Sequence, residues 1–469
     1  MKVVLANPPA YFENNHDHFI NAGSRWSHTF KIPKGVGIPH GHPYPFFLGY
    51  SSALLKRDSS VEVSVVDGCA SCMDVDEFTK RILFLGPEIL VVEIPSICWD
   101  LMMPVLQFLK GELDCRIIVS GFHASALYNE IIESYSFIDY ILVGEYEYSL
   151  LNLINNLNHN KNPVKRVVFS DCISNLDDLP FPDRDGLPLL KYYNQPVSGT
   201  PCIYMWSSRG CPMNCGFCVE RQVLYGNSVY RPRNPHTVVE EMNYCVDVYN
   251  ARQINFDDMT FSGNHNHVRS ICREIIRSGL DIPWWAMVDV NLDFDTLKMM
   301  RDSGCVKVAF GVESIDYGNL RRSSKLFVQK DKVIQFKRWC DELGLLSHAT
   351  FTIGLPGDTR EKAFSCLDFA LSLDTSTAQW SIATPYPGTR FYEDVKKNGF
   401  LRDVDWKYFD GTCSSVVSYP DFSYDSIEKC HHDICSRWWV YKEGLIPYTF
   451  KRATVKALGV LSDARGVIS

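Results

Sequence analysis

Two stretches of this 469-residue chain alternate short β-branched runs with segments of helical period, and nothing else in the sequence restricts the fold as strongly. In the first stretch, apolar runs at 3–6, 61–66, 89–92, 115–119 and 140–143 are separated by helical candidates at 45–55, 75–85, 101–109 and 124–135. That order predicts an α/β unit: a parallel, flavodoxin-like (Rossmann-type) sheet with right-handed crossovers and helices on both faces. Ligands of such sheets sit beyond the carboxyl ends of the strands. The loops to search there contain Pro8, Pro9 and Ala10; Asp67 and Gly68; Pro95 and Ser96; Gly121 and His123; and Gly144 and Glu145. None is a G-x-G-x-x-G phosphate cradle, which argues against a nicotinamide or flavin dinucleotide.

The second stretch has strand candidates at 202–206, 253–256, 284–288, 306–310, 349–353 and 379–383, with helices such as 237–249 and 265–278 between them. Six β/α units in about 190 residues predict a partial (β/α)6 barrel, whose chemistry belongs at the carboxyl ends of its strands. Residues 151–200 are polar and Pro-rich and read as a linker. The expected division is therefore 1–150, a 151–200 linker, a 201–395 barrel and a small helical C-terminal domain at 396–469 with a basic end.

Hydrophobic residues make up 46% and charged ones 22%, the balance of a globular protein. The net charge of -8 would repel a phosphate backbone, so no nucleic-acid partner is expected. The most apolar region, 82–109, is interrupted by Pro87, Glu93, Pro95 and Asp100, too often for a membrane span. MKVVLANPPA reads as a strand and turn rather than a signal peptide, and the cytoplasm is the expected location. Seventeen cysteines, an odd number, then argue for reduced thiols. Cys245, Cys272, Cys305, Cys340 and Cys366 stand singly in helix-like or strand-like surroundings and are expected in the core. A long connection at 11–44 carries His16, His18, His28, His40 and His42, without the helical spacing of metal ligands, and reads as a polar surface loop.

One thiol cluster stands apart. Directly after the first barrel strand, SSRGCPMNCGFCVERQ places Cys211, Cys215 and Cys218 in C-x-x-x-C-x-x-C spacing. Three soft thiolates on one loop suit a polynuclear iron–sulfur centre. A 4Fe-4S cluster normally takes four, so three leave one iron open for a ligand from outside the protein. Structural zinc would want a fourth Cys or His close by, and Cys202 lies inside the preceding strand. Gly210 and Gly216 let the loop wrap tightly.

CPMNCGFC at 211–218 resembles the radical S-adenosylmethionine (SAM) superfamily. Further stretches resemble the branch with an N-terminal cobalamin-binding domain: RPRNPHTVVEEM at 231–242, INFDDMTF at 254–261, FGVES at 310–314, TIGLPGDT at 352–359 and TPYPGTRFY at 384–392. VSGFHAS at 119–125 and YILVGEYEYSLL at 140–151 do the same in the first domain. The resemblance implies that the three cysteines hold the cluster and that its open iron binds the amino and carboxylate groups of SAM. It implies Phe217 near the adenine, Asp257 and Asp258 at the methionine ammonium, Glu313 at the ribose, and Gly354 and Gly357 close to the nucleoside. Cobalamin would rest on the first-domain loops. Where related cobalamin proteins carry D-x-H-x-x-G and supply a lower histidine, this chain has NPPAYF, so five-coordinate or water-bound cobalt is expected, with His40 or His42 the alternative ligands.

The implied activity is methyl transfer to an unactivated carbon of a small-molecule substrate through a 5'-deoxyadenosyl radical, with a flavodoxin or ferredoxin as electron donor. Ring formation, rearrangement or heteroatom exchange are alternatives within the same branch. A tRNA methylthiotransferase would need a second cysteine set, which Cys69, Cys72, Cys98 and Cys115 do not form. A non-catalytic cobalamin or iron–sulfur sensor would not need the acidic and glycine-rich strand ends. Trp206, Trp284, Trp285, Trp380 and Tyr386 could line a dry cavity, although core packing is the expected job of each.

Overall fold

The computed structural model describes residues 1–9, 17–20, 30–33, 42–159, 165–192, 197–226 and 230–443, with only the backbone at 17–20 and 30–33. All eleven expected strands form. In the first domain they are β1 (Lys2–Asn7), β2 (Glu62–Asp67), β3 (Ile89–Glu93), β4 (Arg116–Ser120) and β5 (Tyr140–Val143). They pair in parallel in the order β2-β1-β3-β4-β5, the flavodoxin-like arrangement. β3 is buried along its whole length, as a strand covered on both faces must be. Local signals set the helices. Asp74 caps Val75–Leu85 through a reciprocal bond pattern with Glu77, and Gly86 closes that helix at φ +54°.

The stretch at 151–200 is more than a linker. Helix Glu147–Asn158 runs into it, and β6 (Val167–Phe169) pairs in parallel with β5 as a sixth strand. Three residues with a charged approach offer too short a period to be read as a strand from sequence. The long connection contributes an antiparallel hairpin, Asp17–Ile20 with Phe30–Pro33. His16, His28 and His40, like Ala10, lie outside the described residues. His42 is buried, with Nδ1 3.5 Å from the Cys69 sulfur.

The second sheet contains β7 (Cys202–Met205), β8 (Gln253–Phe256), β9 (Trp284–Val288), β10 (Cys305–Glu313), β11 (Leu346–Ile353) and β12 (Thr377–Ile382). These strands are parallel and neighbour one another in chain order, forming a partial barrel. Cys245, Cys272, Cys305, Cys340 and Cys366 are buried in its core.

The described part of 396–469 is not a separate helical domain. Residues 398–423 are mostly irregular, with a single helical turn at Trp406–Tyr408 and bridges Leu401–Val417 and Tyr419–Phe422, and lead into helix Tyr424–Glu443. Ile427, Cys430, Ile434 and Trp438 of that helix join the barrel core. An apolar stripe of this kind needs a partner, and the barrel supplies it. No helix among the described residues is long and apolar enough to cross a membrane.

Candidate active site

Past β7, Ser208–Arg209 pairs with Arg231–Pro232, and Gly210 turns the chain at φ +79° into Cys211. The loop's carbonyls are held by side chains that follow it. Gln222 donates from Nε2 to Cys215, Gly216 and Cys218 at 3.2, 3.1 and 3.0 Å, and Arg221 donates to Cys211 at 3.1 Å. The Gly216 N–H bonds to the Ser323 carbonyl at 2.9 Å, and the Arg390 guanidinium reaches the Asn214 carbonyl at 2.6 Å. The backbone is thus fixed while Cys211, Cys215 and Cys218 remain free thiols.

Burial pushes the Cys211 thiol up to about 11 and raises Cys215 and Cys218 as well; the nearby Lys325 ammonium opposes this at Cys211 and Cys215. Thiolates therefore need further positive charge, which a metal cluster provides on ligation. Among the described residues, no three His, Cys, Asp or Glu side chains converge as one metal ion would require. The cysteines of a four-iron cube each bind a different iron, and three thiolates on one loop suit that arrangement.

Beside this loop a cavity of about 420 Å³ fills the inside of the barrel, walled by Phe217, Cys218, Glu313 and the inward residues of β9 to β12. Of the five aromatic residues that were candidates to line it, Trp285 and Tyr386 do so. Trp284 is instead buried with its indole N–H on the Ser303 carbonyl, Trp380 stacks on Phe351, and Trp206 stacks on Phe46.

Glu313 takes its place through an irregularity in β10, where the register against β11 shifts and its φ is +62°. Lys325 donates to its Oε1 at 2.6 Å, and Thr352 to its Oε2 at 2.7 Å. A Cβ on Gly311 would come within 2.5 Å of Glu313 Oε1 and 2.6 Å of Lys325 Nζ, so the glycine of FGVES makes room for this pair. Lys325 also lies 6.0 Å from the centre of the Phe217 ring. Nothing in the local sequence marks Lys325 as Glu313's partner.

The other barrel residues singled out from sequence do not wall this cavity among the described residues. Asp258 is buried and accepts from the Ser207 hydroxyl at 2.9 Å and from the Ser208 hydroxyl, while Asp257 is buried beside it at the end of β8. Gly354 and Gly357 adopt left-handed φ of +85° and +84°, but protein covers the positions their side chains would take: Ile427 lies 3.3 Å from a Cβ at Gly354, and Arg322 lies 2.2 Å from one at Gly357. They shape a turn pinned by Asp358, which accepts the Gly354 N–H at 2.9 Å.

At the carboxyl edge of the first sheet, Pro8 and Pro9 follow β1 in buried positions. Pro95 and Ser96 follow β3, and the Ser96 hydroxyl lies 2.9 Å from His123 Nδ1. The His123 ring stacks on Trp99 at 4.4 Å and meets the Trp406 edge at 4.7 Å; burial lowers its pKa to about 3 and keeps it neutral. Gly121 opens helix Phe122–Ala126 at φ +105°, and the Gly144 N–H bonds to the Ser125 hydroxyl at 3.0 Å.

Glu145 is not open to this crevice. Its carboxylate is buried between Arg209 at 2.6 Å and Arg231 at 2.8 Å, with Glu147 also 2.6 Å from Arg209. Arg209 further lies against Trp206, Tyr50 and Phe47, 4.7, 4.9 and 5.4 Å from their ring centres. The first domain therefore grips the chain two residues before Cys211. Sequence reading passed over Arg209, although a lone charge abutting the Gly-Cys turn was a visible signal.

Comparison with known proteins accords with this geometry. Residues 207–370 match the Radical SAM superfamily, so the barrel is a radical SAM domain. Solved structures share its two-sheet fold. The radical S-adenosylmethionine methyltransferase TsrM of Kitasatospora setae, solved with tryptophan and a SAM analog, superposes with a TM-score of 0.63 at 17% identity over 86% of this chain and 77% of its own. OxsB, a cobalamin-dependent S-adenosylmethionine radical enzyme solved with aqua-cobalamin and S-adenosylmethionine, gives 0.66 at 15% identity over 94% of this chain and 66% of its own. The uncharacterized methyltransferase PH0819 of Pyrococcus horikoshii is 28% identical over 400 residues, 82% of this chain and 85% of that protein.

Proposed function

We propose that this enzyme is a methyltransferase that uses a 4Fe-4S cluster, SAM and cobalamin to methylate an unactivated carbon of a small molecule. The observation that carries the reading is the Arg209 joint. The cysteine loop that opens on the barrel cavity is clamped through Glu145 and Glu147 to the carboxyl edge of the first sheet, so both cofactor sites share one rigid connection. The methyltransferases named above share this fold or resemble the sequence.

Cys211, Cys215 and Cys218 would hold the cluster, and Phe217 and Glu313 would face SAM, with Lys325 and Thr352 fixing the Glu313 carboxylate as an acceptor for hydroxyls. When bound, the cluster and cobalamin would supply one-electron cleavage of SAM and a methyl group for the carbon that loses hydrogen. The protein's part is to exclude water with Phe217, Trp285 and Tyr386 and to hold the Glu313 carboxylate in place with Lys325 and Thr352. The electron would come from a small reduced carrier such as a flavodoxin or ferredoxin. Cobalamin would rest on the loops that carry Pro8 and Pro9, Pro95 and Ser96, Gly121, and Gly144, held without a histidine from the described residues. The His123 ring is enclosed by two indoles, and His42 lies against Cys69.

Reconstituted anaerobically with a low-potential reductant, deuterated-methyl SAM and a small-molecule extract of the source cells, the enzyme should release 5'-deoxyadenosine and deposit label in a product. 5'-Deoxyadenosine without label transfer would overturn methylation, and no 5'-deoxyadenosine would overturn the radical chemistry. The electron paramagnetic resonance spectrum of the cob(II)alamin form should lack nitrogen superhyperfine splitting; its presence would place a histidine on cobalt.

A further inference from the structure

The cysteine loop does not give all of its surface to the barrel. Phe217 and Cys218 line the cavity, whereas Pro212 and Asn214 do not line it and are exposed, with Met213 and Cys215 partly exposed beside them. An electron passed from another protein to a cluster on this loop must enter where that protein comes closest, because tunnelling fades steeply with distance. Pro212 and Asn214 mark that place.

Positive charge gathers around it. A cleft of about 60 Å³ beside Gly216 and Phe217 has Arg322, Arg390 and Asp394 on its wall. The same Arg390 nitrogen that donates to the Asn214 carbonyl at 2.6 Å lies 3.9 Å from where a Cβ of Gly216 would stand, so its guanidinium reaches along the loop. The Phe391 N–H bonds to the Gly216 carbonyl at 3.0 Å and ties helix Arg390–Lys397 to the cysteines. Spacings of four and seven residues put Arg390, Asp394 and Lys397 on one face of that helix. Arg322 brings with it the basic last turn of helix Tyr317–Arg322, including Arg321. All four cations are exposed, and among the described residues none is in an ion pair. They outnumber the carboxylates of Glu393 and Asp394, while the nearby Asp316 is engaged by Lys362 at 3.2 Å. The whole chain has a net charge of -8, so a cationic rim at the cysteine loop is a local exception. Fields of this kind steer an oppositely charged partner and fix its orientation.

We infer that this rim is the docking surface of an acidic one-electron carrier protein, and that a carboxylate of the carrier seats in the cleft between Arg322 and Arg390. Guanidinium and carboxylate make the strongest polar contact available at such an edge. The inference rests on the reading of the loop as a cluster site. In the docked pair one electron leaves the reduced carrier, which is oxidised by one step, and enters the cluster on Cys211, Cys215 and Cys218. No bond forms or breaks at the contact.

The test uses a reduced, acidic flavodoxin as the carrier and dithionite as a small reductant, each mixed anaerobically with the cluster-loaded enzyme while the visible absorption of the cluster is followed. Reduction by flavodoxin should slow about tenfold from low to high salt. Arg322→Gln combined with Lys397→Gln should lower the low-salt flavodoxin rate about tenfold and flatten its salt dependence, with the dithionite rate unchanged. Lys397→Glu alone, on the exposed helix face, serves the same purpose should the double variant fail to fold. Oxidised flavodoxin, followed by its flavin fluorescence, should also bind the wild type more tightly than the variant. A flavodoxin rate indifferent to salt, no loss of rate or binding in a folded variant, an equal loss with both reductants, or no reduction by flavodoxin where dithionite succeeds would overturn the inference. A protein without cluster absorption, or one that dithionite leaves unbleached, would overturn the cluster reading instead, so the two can fail separately.

Discussion

The two parallel sheets end differently at the carboxyl edges where α/β sheets take their ligands. The barrel edge opens on a cavity of about 420 Å³ with Glu313, Thr352 and Lys307 on its wall. At the first sheet the corresponding polar groups are engaged by protein. Tyr192 donates to Asp67 at 2.7 Å, Arg209 covers Glu145, and two indoles enclose His123. Curvature explains much of the contrast. A curled sheet encloses an interior that side chains need not fill, whereas an open sheet with helices on both faces has none. Inward polar residues of the barrel are therefore candidates to meet ligand, while several at the first sheet's edge act as joints between domains.

Four experiments would break or sharpen that contrast. The largest effect is expected at the barrel: Cys211, Cys215 and Cys218 replaced together by Ala should abolish the brown visible absorption of the anaerobic protein and all 5'-deoxyadenosine release. Unchanged absorption would remove the cluster from this loop. At the joint, Arg209→Met strands the buried Glu147 carboxylate, leaves Glu145 with Arg231 alone, and should cost about 3–5 kcal/mol in urea unfolding. A loss below 1 kcal/mol would mean that the domains are held together elsewhere.

The third concerns acid. Burial depresses His123 and His348 to about 3 and His267 to about 4, so the folded protein binds fewer protons than the unfolded chain below the ordinary histidine value of 6.5. Their stabilising effect is complete above pH 6.5 and is lost as pH falls toward 3 or 4. Between pH 6.5 and 4 each of the deepest two should remove about 3 kcal/mol, at about 1.4 kcal/mol per unit. His123→Gln should flatten part of this slope in urea midpoints measured across that range; an unchanged slope would show that its ring is solvated. The smallest effect is expected from Trp406→Leu, which removes the ring edge from His123 and should cost about 0.5–1.5 kcal/mol. A larger loss, with the slope below pH 6.5 also altered, would make Trp406 the main cover of the crevice.

Much of this was legible from residues close together in the chain. The eleven strands followed from β-branched runs with helical intervals, and the C-x-x-x-C-x-x-C loop with its neighbour Phe217 marked the site. Glu313, singled out through the FGVES resemblance, lies on the cavity wall, although the irregularity in β10 that turns it there has no period to read in the sequence. Other features escaped. β6 is too short to carry a period, and the apolar stripe of Tyr424–Glu443 does not reveal that its partner is the barrel. Gly354 and Gly357 looked like room for a nucleoside, yet Ile427 and Arg322 face them across the turn.

Spacing, period and the clustering of three thiols are properties of neighbouring residues, so the amino-acid order was enough to establish the α/β organisation and to propose the chemistry of the cysteine loop. Pairing Arg209 with Glu145 joins positions 64 residues apart, and setting Lys307 in the same cavity as Glu313 depends on how the second sheet curls. Contacts of that kind follow from the docking and curvature of whole sheets, where burial selects among many partners that the linear order leaves equally open.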